Sequence, residues 1–418
     1  MSGADLAIWS VTVLATAGVI LRPFRWPEAI WAVAGALALV CFGLVSVSTA
    51  FVGIGKGLDV YLFLTGMMLL AEVARETGLF DWLASLAAAH ARGSAVRLFQ
   101  LIYAVGIVVT VFLSNDATAV VLTPAVAAVA RAGKVSQPLP YLLICAFIAN
   151  AASFVLPISN PANLVIYGSQ MPPLAQWLPR FALPSVAAIV ATYAMLRFTQ
   201  RRALTQSLTT DISVPKLSIA GRGAAWGIVL TALVLMAASA LGWQLGLPTC
   251  VAGIVTLVLV SGVQRVSPVR FLRDISWGIL FLVAGLFVLV EGLEQSGAIG
   301  VLSDTLRTYA LQSPRLAGGI AGLALGFVCN LVNNLPAGLI AGTAVHAAAV
   351  PPNITSSILI GVDLGHNLSV TGSLATILWL TALRREGIHV RARDFLQLGL
   401  LIMPPALVLA LAVTAVTW

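Results

Sequence analysis

Two short polar stretches interrupt long apolar regions of the chain, and each carries residues able to bind a solute. Ser114-Asn115-Asp116-Ala-Thr118 lies inside residues 97–131, and Asn333-Asn334-Leu-Pro336 lies inside residues 315–350. A continuous transmembrane helix would not carry these residues at its centre. Each region is therefore predicted to be a re-entrant helical hairpin, because irregular backbone at membrane depth is tolerated only where protein or a cavity surrounds it.

Two further polar breaks follow the hairpins, at residues 157–163 and 363–373. Their Asn, Ser, Asp and Pro residues suit helix starts, where side-chain oxygens accept from free N–H groups. The residues either cap broken helices only or also build one binding site, and four related breaks favour the site. The predicted binding residues are Ser114, Asn115, Thr118, Ser159, Asn160, Asn163, Asn333, Asn334, Asn367, Thr371 and Ser373.

Asp116 and Asp363 are the predicted proton-coupling residues. A carboxylate at membrane depth costs roughly 2.5–3.5 kcal/mol on insertion scales, so its presence requires a reason. Burial favours the neutral acid and a helix N-terminus favours the carboxylate, so a group between the two can load and release a proton. The charge of Asp116 would also repel a dicarboxylate or a phosphate, which favours a neutral or cationic substrate.

Other reactive residues have simpler interpretations. Glu72 and Glu291 are predicted to be interfacial or gate residues paired with nearby arginines, and His366 either titrates or packs in the broken helix. Cys145 and Cys329 either bind a soft metalloid or pack as small residues, and packing is favoured because neither has a second thiol nearby in sequence. The sequence predicts no enzyme, no catalytic residue, no metal site and no cofactor, and it contains no G-x-x-x-x-G-K-[ST] nucleotide motif.

The composition places all these residues in a membrane. Of 418 residues, 60% are hydrophobic and only 9% are charged, which is too little charge to cover a water-soluble surface. The net charge of +8 forms no basic stripe with aromatics, so no nucleic-acid partner is predicted. Ten spans, each able to cross about 30 Å of hydrocarbon, are predicted near residues 6–21, 28–46, 58–75, 139–167, 177–197, 222–242, 247–263, 275–293, 355–383 and 395–416. The first is interpreted as a retained helix rather than a signal peptide.

The basic residues predict the topology. With ten spans, two hairpins and the N-terminus outside, the cytoplasmic connections hold nineteen of the 23 lysines and arginines, and only Lys56, Arg180, Arg307 and Arg315 lie outside. This is the bias of the positive-inside rule. The sequence thus predicts a multi-pass protein of the bacterial inner membrane, with both termini on the outer side.

The chain also contains an internal repeat. At one offset Gly66, Glu72, Gly78 and Asn115 correspond to Gly285, Glu291, Gly297 and Asn334. At a second offset, Asn150 corresponds to Asp363 and Asn160 to Ser373. Five spans per half is an odd number, so the halves must run in opposite directions, as in secondary transporters that bind substrate at the midplane. The predicted fold is all-α, with a first repeat at 1–197, a cytoplasmic linker at 198–221 and an inverted second repeat at 222–418.

At these same residues the sequence resembles the ArsB family of arsenite and antimonite efflux pumps, within the ion transporter superfamily. The resemblance covers both halves and most of the chain. The matching stretches are Asn115-Asp116 with Leu122-Thr123-Pro124, Phe147-Ile148-Ala149 leading to Ser159-Asn160 and Asn163, Asn333-Asn334-Leu-Pro336, Asp363-Leu-Gly365, and Gly372-Ser-Leu-Ala-Thr-Ile-Leu-Trp379-Leu. It implies Asn115, Asp116, Asn160, Asn163, Asn333, Asn334 and Asp363 as site residues.

Three residues at two places depart from the family pattern. Asn150 stands where the pattern has Asp, and His366-Asn367 stand where it has Pro-Lys. A carboxylate and an ammonium are lost together, so the net charge is kept while two ionisable groups disappear. The departures bear on the proton pathway and its stoichiometry more than on the substrate.

The resemblance implies export of arsenite and antimonite, as neutral trihydroxides, in exchange for protons, with a possible soluble ArsA-type ATPase as partner and membrane lipid around the chain. Three transport alternatives stay open: a sodium/proton antiporter of the NhaD type, an anion carrier of the same superfamily, and a channel component driven by a partner ATPase. An intramembrane enzyme is disfavoured, because neither H-E-x-x-H nor G-x-S-x-G occurs.

Overall fold

The computed structural model of the protein describes residues 2–206, 208 and 214–417, and all regular elements within these ranges are helical. Part of the predicted linker, residues 207 and 209–213, lies outside the described residues. The first half contains α1 Gly3–Leu21, α2 Glu28–Cys41, α3 Val47–Lys56, α4 Leu58–Glu76, α5 Leu79–Ala91, α6 Ala95–Phe112, α7 Asn115–Ala117, α8 Thr123–Ala132, α9 Leu139–Ala151, α10 Pro161–Tyr167 and α11 Leu174–Gln200.

The second half repeats the order of the longer elements. It contains α12 Ile219–Ala240, α13 Gly246–Gln264, α14 Val269–Leu272, α15 Gly278–Gln295, α16 Ala298–Gln312, α17 Pro314–Val332, α18 Asn334–Ala348, α19 Pro352–Gly365, α20 Leu374–Arg385 and α21 Ala392–Thr417. In both halves a long helix ends at a polar turn, a second arm follows, and the next helix is broken. The opposite orientation of the two halves stays a prediction.

Eight described helices are long and apolar enough to cross a membrane, or nine if α3 and α4, bent by 49° at their junction, form one span. Six of the eight coincide with predicted spans: α1, α11, α12, α13, α15 and α21. The other two, α6 and α17, are the first arms of the predicted hairpins. The fold is therefore the predicted all-α polytopic membrane protein.

Of the remaining predicted spans, residues 58–75 form the single helix α4, whereas the other three are shorter or divided. Residues 139–167 and 355–383 hold the helix pairs α9/α10 and α19/α20, with the breaks at the predicted polar stretches. The predicted span at 28–46 ends as a helix at Cys41, because Gly43 turns the chain with φ +67° and Ser46 caps α3. Residues after a left-handed glycine do not continue a helix.

Three helices of ten or more residues were not predicted from the sequence: α3, α5 and α16. The last two occupy equivalent places, because each precedes a hairpin and each begins after a glycine with positive φ, Gly78 at +73° and Gly297 at +77°. A residue with a Cβ would be strained at either position. These two glycines had been matched by the internal repeat, so the repeat extends to backbone conformation.

Small residues allow the helices that carry the site to approach closely. A Cβ at Gly361 on α19 would collide with the carbonyl oxygen of Gly322 on α17, and Gly365 has the same relation to Gly326. Spacings of four residues between small residues are typical of close helix contacts in membranes. The second hairpin is therefore packed tightly against the helix that leads into the second break.

Candidate functional site

Five of the predicted binding and coupling residues line one small cavity where the four breaks meet. Asn115 and Asp116 come from the first hairpin, Asn160 from the first broken helix, Asn334 from the second hairpin and Ser373 from the second broken helix. The rest of the lining is Leu64 of α4, Ile279 of α15, Pro161 and Leu335. The sequence distances among these residues show that the fold, not local sequence, brings them together.

The cavity is nearly closed. Its volume of about 10 Å³ is at the lower limit for holding one water molecule. The amide oxygen of Asn334 is buried and has no hydrogen-bond partner among the described residues. A buried polar atom without a partner is costly unless water or a ligand satisfies it. The cavity thus offers an unused acceptor, but a solute larger than water requires the surrounding helices to move.

Polar residues at the breaks cap the helices that point at the cavity, as the sequence predicted. Ser114 Oγ accepts from the N–H of Ala117 at 3.1 Å, and Asn160 Oδ1 accepts from the N–H of Ala162 at 3.0 Å. Ser373 Oγ accepts from Ala375 at 3.1 Å. Such caps hold each N-terminus in place and leave its other N–H groups available, together with the positive end of the helix dipole.

Asp116 is the one carboxylate that lines the cavity. It is half-buried, its backbone N–H donates to Asn115 Oδ1 at 2.9 Å, and its carboxyl group forms no hydrogen bond within the described ranges. A π-helical turn, Thr118–Leu122, follows directly. Helical irregularities of this kind are frequent at functional sites. The Asp116 carboxyl therefore lines the cavity without a competing partner among the described residues.

A cleft of about 130 Å³ leads away from Asp116. It shares Leu64, Asp116, Pro161 and Ile279 with the small cavity and reaches Glu72 on α4 and Asp274 before α15. One wall is formed by α4 and the start of α15, and the other by the first hairpin and α20. The cleft therefore lies between two groups of helices and runs up to the cavity.

A cluster of charges closes the far end of this cleft. Arg75 contacts Glu72 at 2.6 Å, Asp274 at 2.8 Å and Glu76 at 3.1 Å, and Arg270 contacts Glu76 at 3.2 Å. The predicted pairing of Glu72 with an arginine is confirmed. Its repeat counterpart Glu291 pairs instead with a lysine.

That lysine is Lys56, whose Nζ lies 2.7 Å from Glu291 and 3.2 Å from Glu294. The pair joins the end of α3 to the end of α15. Glu72 on α4 and its repeat counterpart Glu291 on α15 thus each form an ion pair with a basic side chain.

The two broken helices are linked directly behind the cavity. Asp363 Oδ1 accepts from Asn160 Nδ2 at 2.8 Å, and Asp363 Oδ2 lies 2.6 Å from the Ser153 hydroxyl. Asn150, the repeat counterpart of Asp363, donates to Asn367 Oδ1 at 2.8 Å. Asp363 is completely buried and does not line the cavity.

The other predicted binding residues lie around the cavity rather than on it. Asn163 donates to the carbonyls of Ser153, Leu156 and Pro157 inside the first break. Ser159 Oγ donates to Val111 of the first hairpin at 3.0 Å. Ser114 lines the cleft, Thr118 contacts Thr110, and Asn333 caps α18. Asn367 donates to the Phe147 carbonyl, and Thr371 donates to the Asn330 carbonyl.

Asn330 and Ser153 support the site and were not predicted. Asn330 Nδ2 donates to Gly365 at 2.9 Å, and its Oδ1 accepts from the backbone and the hydroxyl of Ser369 at 3.1 and 2.7 Å. It therefore braces the second break against α17. The sequence feature that could have identified Asn330 is an amide side chain within an apolar helix, because polar side chains in a membrane need hydrogen-bond partners.

His366 is buried at the C-terminal end of α19. Cys145 and Cys329 are buried single thiols whose hydrogen bonds go to helix carbonyls, Tyr141 at 4.0 Å and Gly326 at 3.5 Å. Neither cysteine lines the cavity. Both contacts agree with packing roles.

The fold and the polar cavity at its helix breaks define a polytopic membrane transporter. The chain belongs to the CitMHS family, because the family model described as "Citrate transporter" matches residues 11–365. Among its relatives, the arsenical pump membrane protein of Yersinia enterocolitica is 27% identical over 365 residues, 84% of each chain. The putative arsenical pump membrane protein of Bacillus subtilis is 26% identical over 417 residues, 92% of this chain and 93% of that protein. These matches confirm the resemblance to the arsenical pumps.

A solved structure shares the fold. The Alcanivorax borkumensis YdaH transporter, described as having an unusual topology, superposes with a TM-score of 0.57 at 16% identity, covering 88% of this chain and 87% of that one. At this identity the likeness concerns the fold alone. The family match, and not this superposition, makes the protein a member of a family of secondary transporters.

Proposed function

We propose that the protein exports arsenite and antimonite, as neutral trihydroxides, from the cytoplasm in exchange for protons. The observation that supports this proposal most strongly is the chemistry of the cavity. Its lining residues, which come from four helix breaks, supply amides, a hydroxyl and a single carboxyl, and none of them is a lysine or an arginine. A trihydroxide offers donors and acceptors but no charge, so these groups can coordinate it without a counter-ion. The arsenical pump relatives in Yersinia enterocolitica and Bacillus subtilis support this substrate.

Asp116 is the group we assign to proton exchange. Its carboxyl touches both the cavity and the cleft and has no competing hydrogen bond within the described residues. Protonation would remove the charge on one side of the substrate site, and release would restore it. Exchange of one proton for a neutral solute moves one charge, and about 100 mV supplies roughly 2.3 kcal/mol, or a gradient of nearly fiftyfold.

Movement must accompany binding, because the cavity admits no more than about one water. We propose that the hairpins and broken helices move against α4 and α15, by rocking or by an elevator motion. The cleft lies along this boundary. With the predicted orientation, the charge cluster around Arg75 faces the cytoplasm and the Lys56 pair faces outward.

An anion carrier is the second candidate function, because the matching family model is described as "Citrate transporter". The cavity argues against it, because a tricarboxylate would meet Asp116 and no arginine or lysine among the lining residues. A sodium/proton antiporter would use Asp116 and Asp363 as joint ligands. Asp363 already bonds to Asn160 and Ser153 and does not line the cavity, which disfavours that arrangement.

The decisive experiment is uptake of arsenite into everted vesicles, with and without a proton gradient. We expect uphill uptake that needs the gradient, is inhibited by antimonite and is unaffected by sodium or citrate. Asp116→Asn should abolish uphill uptake while the protein still inserts. Asp304→Asn, on the exposed face of α16, is the matched control and should retain activity.

Three results would contradict the proposal. Arsenite uptake that ignores the gradient would exclude proton exchange, and competition by citrate would support the anion carrier. Co-purification with a soluble ATPase, together with uptake that requires ATP, would instead assign energy coupling to an ArsA-type partner.

A further inference from the structure

The Ser153 hydroxyl lies within hydrogen-bonding distance of two oxygen atoms, one on Asp363 and one on Asn150, but it has a hydrogen for only one of them. The Ser153 hydroxyl oxygen lies 2.6 Å from Asp363 Oδ2 and 2.7 Å from the carbonyl oxygen of Asn150. Both distances are those of O–H···O hydrogen bonds. A hydroxyl has one hydrogen to donate, and neither a carboxylate nor a carbonyl supplies another.

Both short contacts have a hydrogen between their two oxygens if the Asp363 carboxyl group carries a proton. Asp363 then donates through Oδ2 to Ser153 Oγ, and Ser153 donates its own hydrogen to the Asn150 carbonyl. Asp363 Oδ1 remains free to accept from Asn160 Nδ2 at 2.8 Å. With an ionised carboxylate, one of the two short contacts would join two acceptors without a hydrogen between them.

The surroundings agree with a neutral acid. Asp363, Ser153 and Asn150 are fully buried, and Asn160 is 1% exposed. Both hydrogen-bond partners of the carboxyl are neutral side chains. The titratable side chains beside it are Cys329 on α17 and His366 on its own helix. An isolated buried carboxylate would carry a large desolvation cost, which a neutral acid avoids.

The partner of this acid lines the cavity. Asn160 Nδ2 is held by Asp363, and Asn160 Oδ1 caps α10 through Ala162. These two bonds determine how the amide is oriented at the cavity. Asp363 belongs to the second half of the chain and Asn160 to the first, so the contact also joins the two breaks.

We infer that Asp363 is a neutral carboxylic acid in this conformation and acts as a positioning residue that holds the Asn160 amide at the cavity. It takes this role in place of its predicted one as a second proton carrier. Proton exchange is then left to Asp116, whose carboxyl is free. The effect on substrate affinity rests on the proposed function, whereas the protonation state does not.

Asparagine and leucine at position 363 separate the two roles. An amide reproduces the acid, because its Nδ2 donates to Ser153 and its Oδ1 accepts from Asn160. Leucine has the same branched arrangement of four side-chain heavy atoms and neither group. We expect Asp363→Asn to retain proton-driven uptake, with KM for arsenite within about threefold of wild type, and Asp363→Leu to raise KM about tenfold, the cost of leaving one buried donor unpaired.

Infrared spectroscopy of the purified protein supplies a readout that does not depend on transport. The difference spectrum of wild type minus Asp363→Asn should show the C=O stretch of a protonated carboxylic acid, unchanged across neutral pH. A carboxylate band in its place would overturn the inference. So would loss of proton-driven uptake in Asp363→Asn with passive arsenite exchange retained, because that pattern identifies a carrier.

Failure of the proposed function would look different. If the wild-type protein moves no arsenite, the KM comparison loses its meaning. The infrared band would still show whether Asp363 is a neutral carboxylic acid. A thermal unfolding temperature that is preserved in Asp363→Asn but lowered in Asp363→Leu would still show that its two hydrogen bonds hold the site together.

Discussion

The side chains of Asn150 and Asn367 face each other across the boundary between the two halves, with Asn150 Nδ2 donating to Asn367 Oδ1 at 2.8 Å. These are two of the positions at which the sequence departs from the pattern that its resemblance to the arsenical pumps implies, with Asp and Lys at these places. The structure shows that these two departures are in contact. A pair of opposite charges in that pattern corresponds here to a neutral amide pair, which explains how both charges can be absent without leaving one unpaired.

The first prediction tests this compensation. Asn150→Asp or Asn367→Lys alone places an unpaired charge in a fully buried site and should destabilise the protein by about 3–5 kcal/mol. The double substitution restores an ion pair and should recover most of the loss. The measurement is the thermal unfolding temperature of the purified protein, for both single variants and the double variant.

Gln137→Glu and Gln137→Lys are suitable controls for these changes, since Gln137 is exposed and lies outside the helices. Both should leave the unfolding temperature unchanged. A double variant no more stable than the less stable single variant would show that the two side chains are not coupled.

The breaks and caps could be predicted from the sequence because they depend on local chemistry. Asn and Ser followed by an apolar run specify a helix start wherever they occur, so Ser114, Asn160 and Ser373 were recognised. Gly78 and Gly297 were matched by the repeat, and both have the left-handed backbone that explains a glycine there.

Which polar residues face the cavity could not be predicted. Asn160 caps α10 and Asn163 lies in its first turn, yet Asn160 lines the cavity and Asn163 binds carbonyls behind it. The rotation of α10 decides this, and that rotation is set by packing against distant elements. The helices α5 and α16 were missed because charged residues such as Asp81, Asp304 and Arg307 lower their apolar content below that of a span.

The second prediction concerns the packing of α17 on α19. Gly361→Ala places a methyl group against the carbonyl oxygen of Gly322, so the helices must separate. Overpacking of this kind costs about 1–3 kcal/mol, and the second break should shift with the helix. We expect a lower thermal unfolding temperature and reduced arsenite uptake.

The matched control is Gly319→Ala on α17, where an added Cβ meets no atom within 4 Å. It should be neutral or slightly stabilising, because alanine favours a helix by up to about 1 kcal/mol relative to glycine. Equal losses in the two variants would mean that the close approach of Gly361 and Gly322 is not important.

The third prediction concerns Arg75, which neutralises carboxylates whose oxygens lie within 4.8 Å of one another on Glu72, Glu76 and Asp274. Arg75→Gln should destabilise the protein by about 1–2 kcal/mol through their repulsion, less than a fully buried pair would cost because Arg75 is partly exposed. Adding Glu72→Gln should recover part of the loss. Thermal unfolding measures both effects.

Arg391→Gln serves as the control here. Arg391 and Asp394 form an exposed pair at the start of α21, with an arginine side chain that is 83% exposed. Its removal should leave the thermal unfolding temperature unchanged, because exposed ion pairs contribute little to stability. A Glu72→Gln addition that worsens Arg75→Gln would show that the carboxylates do not repel each other.

The fourth prediction places the cleft on a side of the membrane. Ser276 and Gln295 lie at opposite ends of α15, and both are exposed. In a chain whose Cys41 and Cys250 are replaced by serine, Ser276→Cys should react with an impermeant maleimide in everted vesicles, and Gln295→Cys should react in intact spheroplasts. The reverse pattern would overturn the predicted orientation. Labelling of both from one side would show that α15 does not cross the membrane, because a spanning helix must separate its two ends by the full thickness of hydrocarbon.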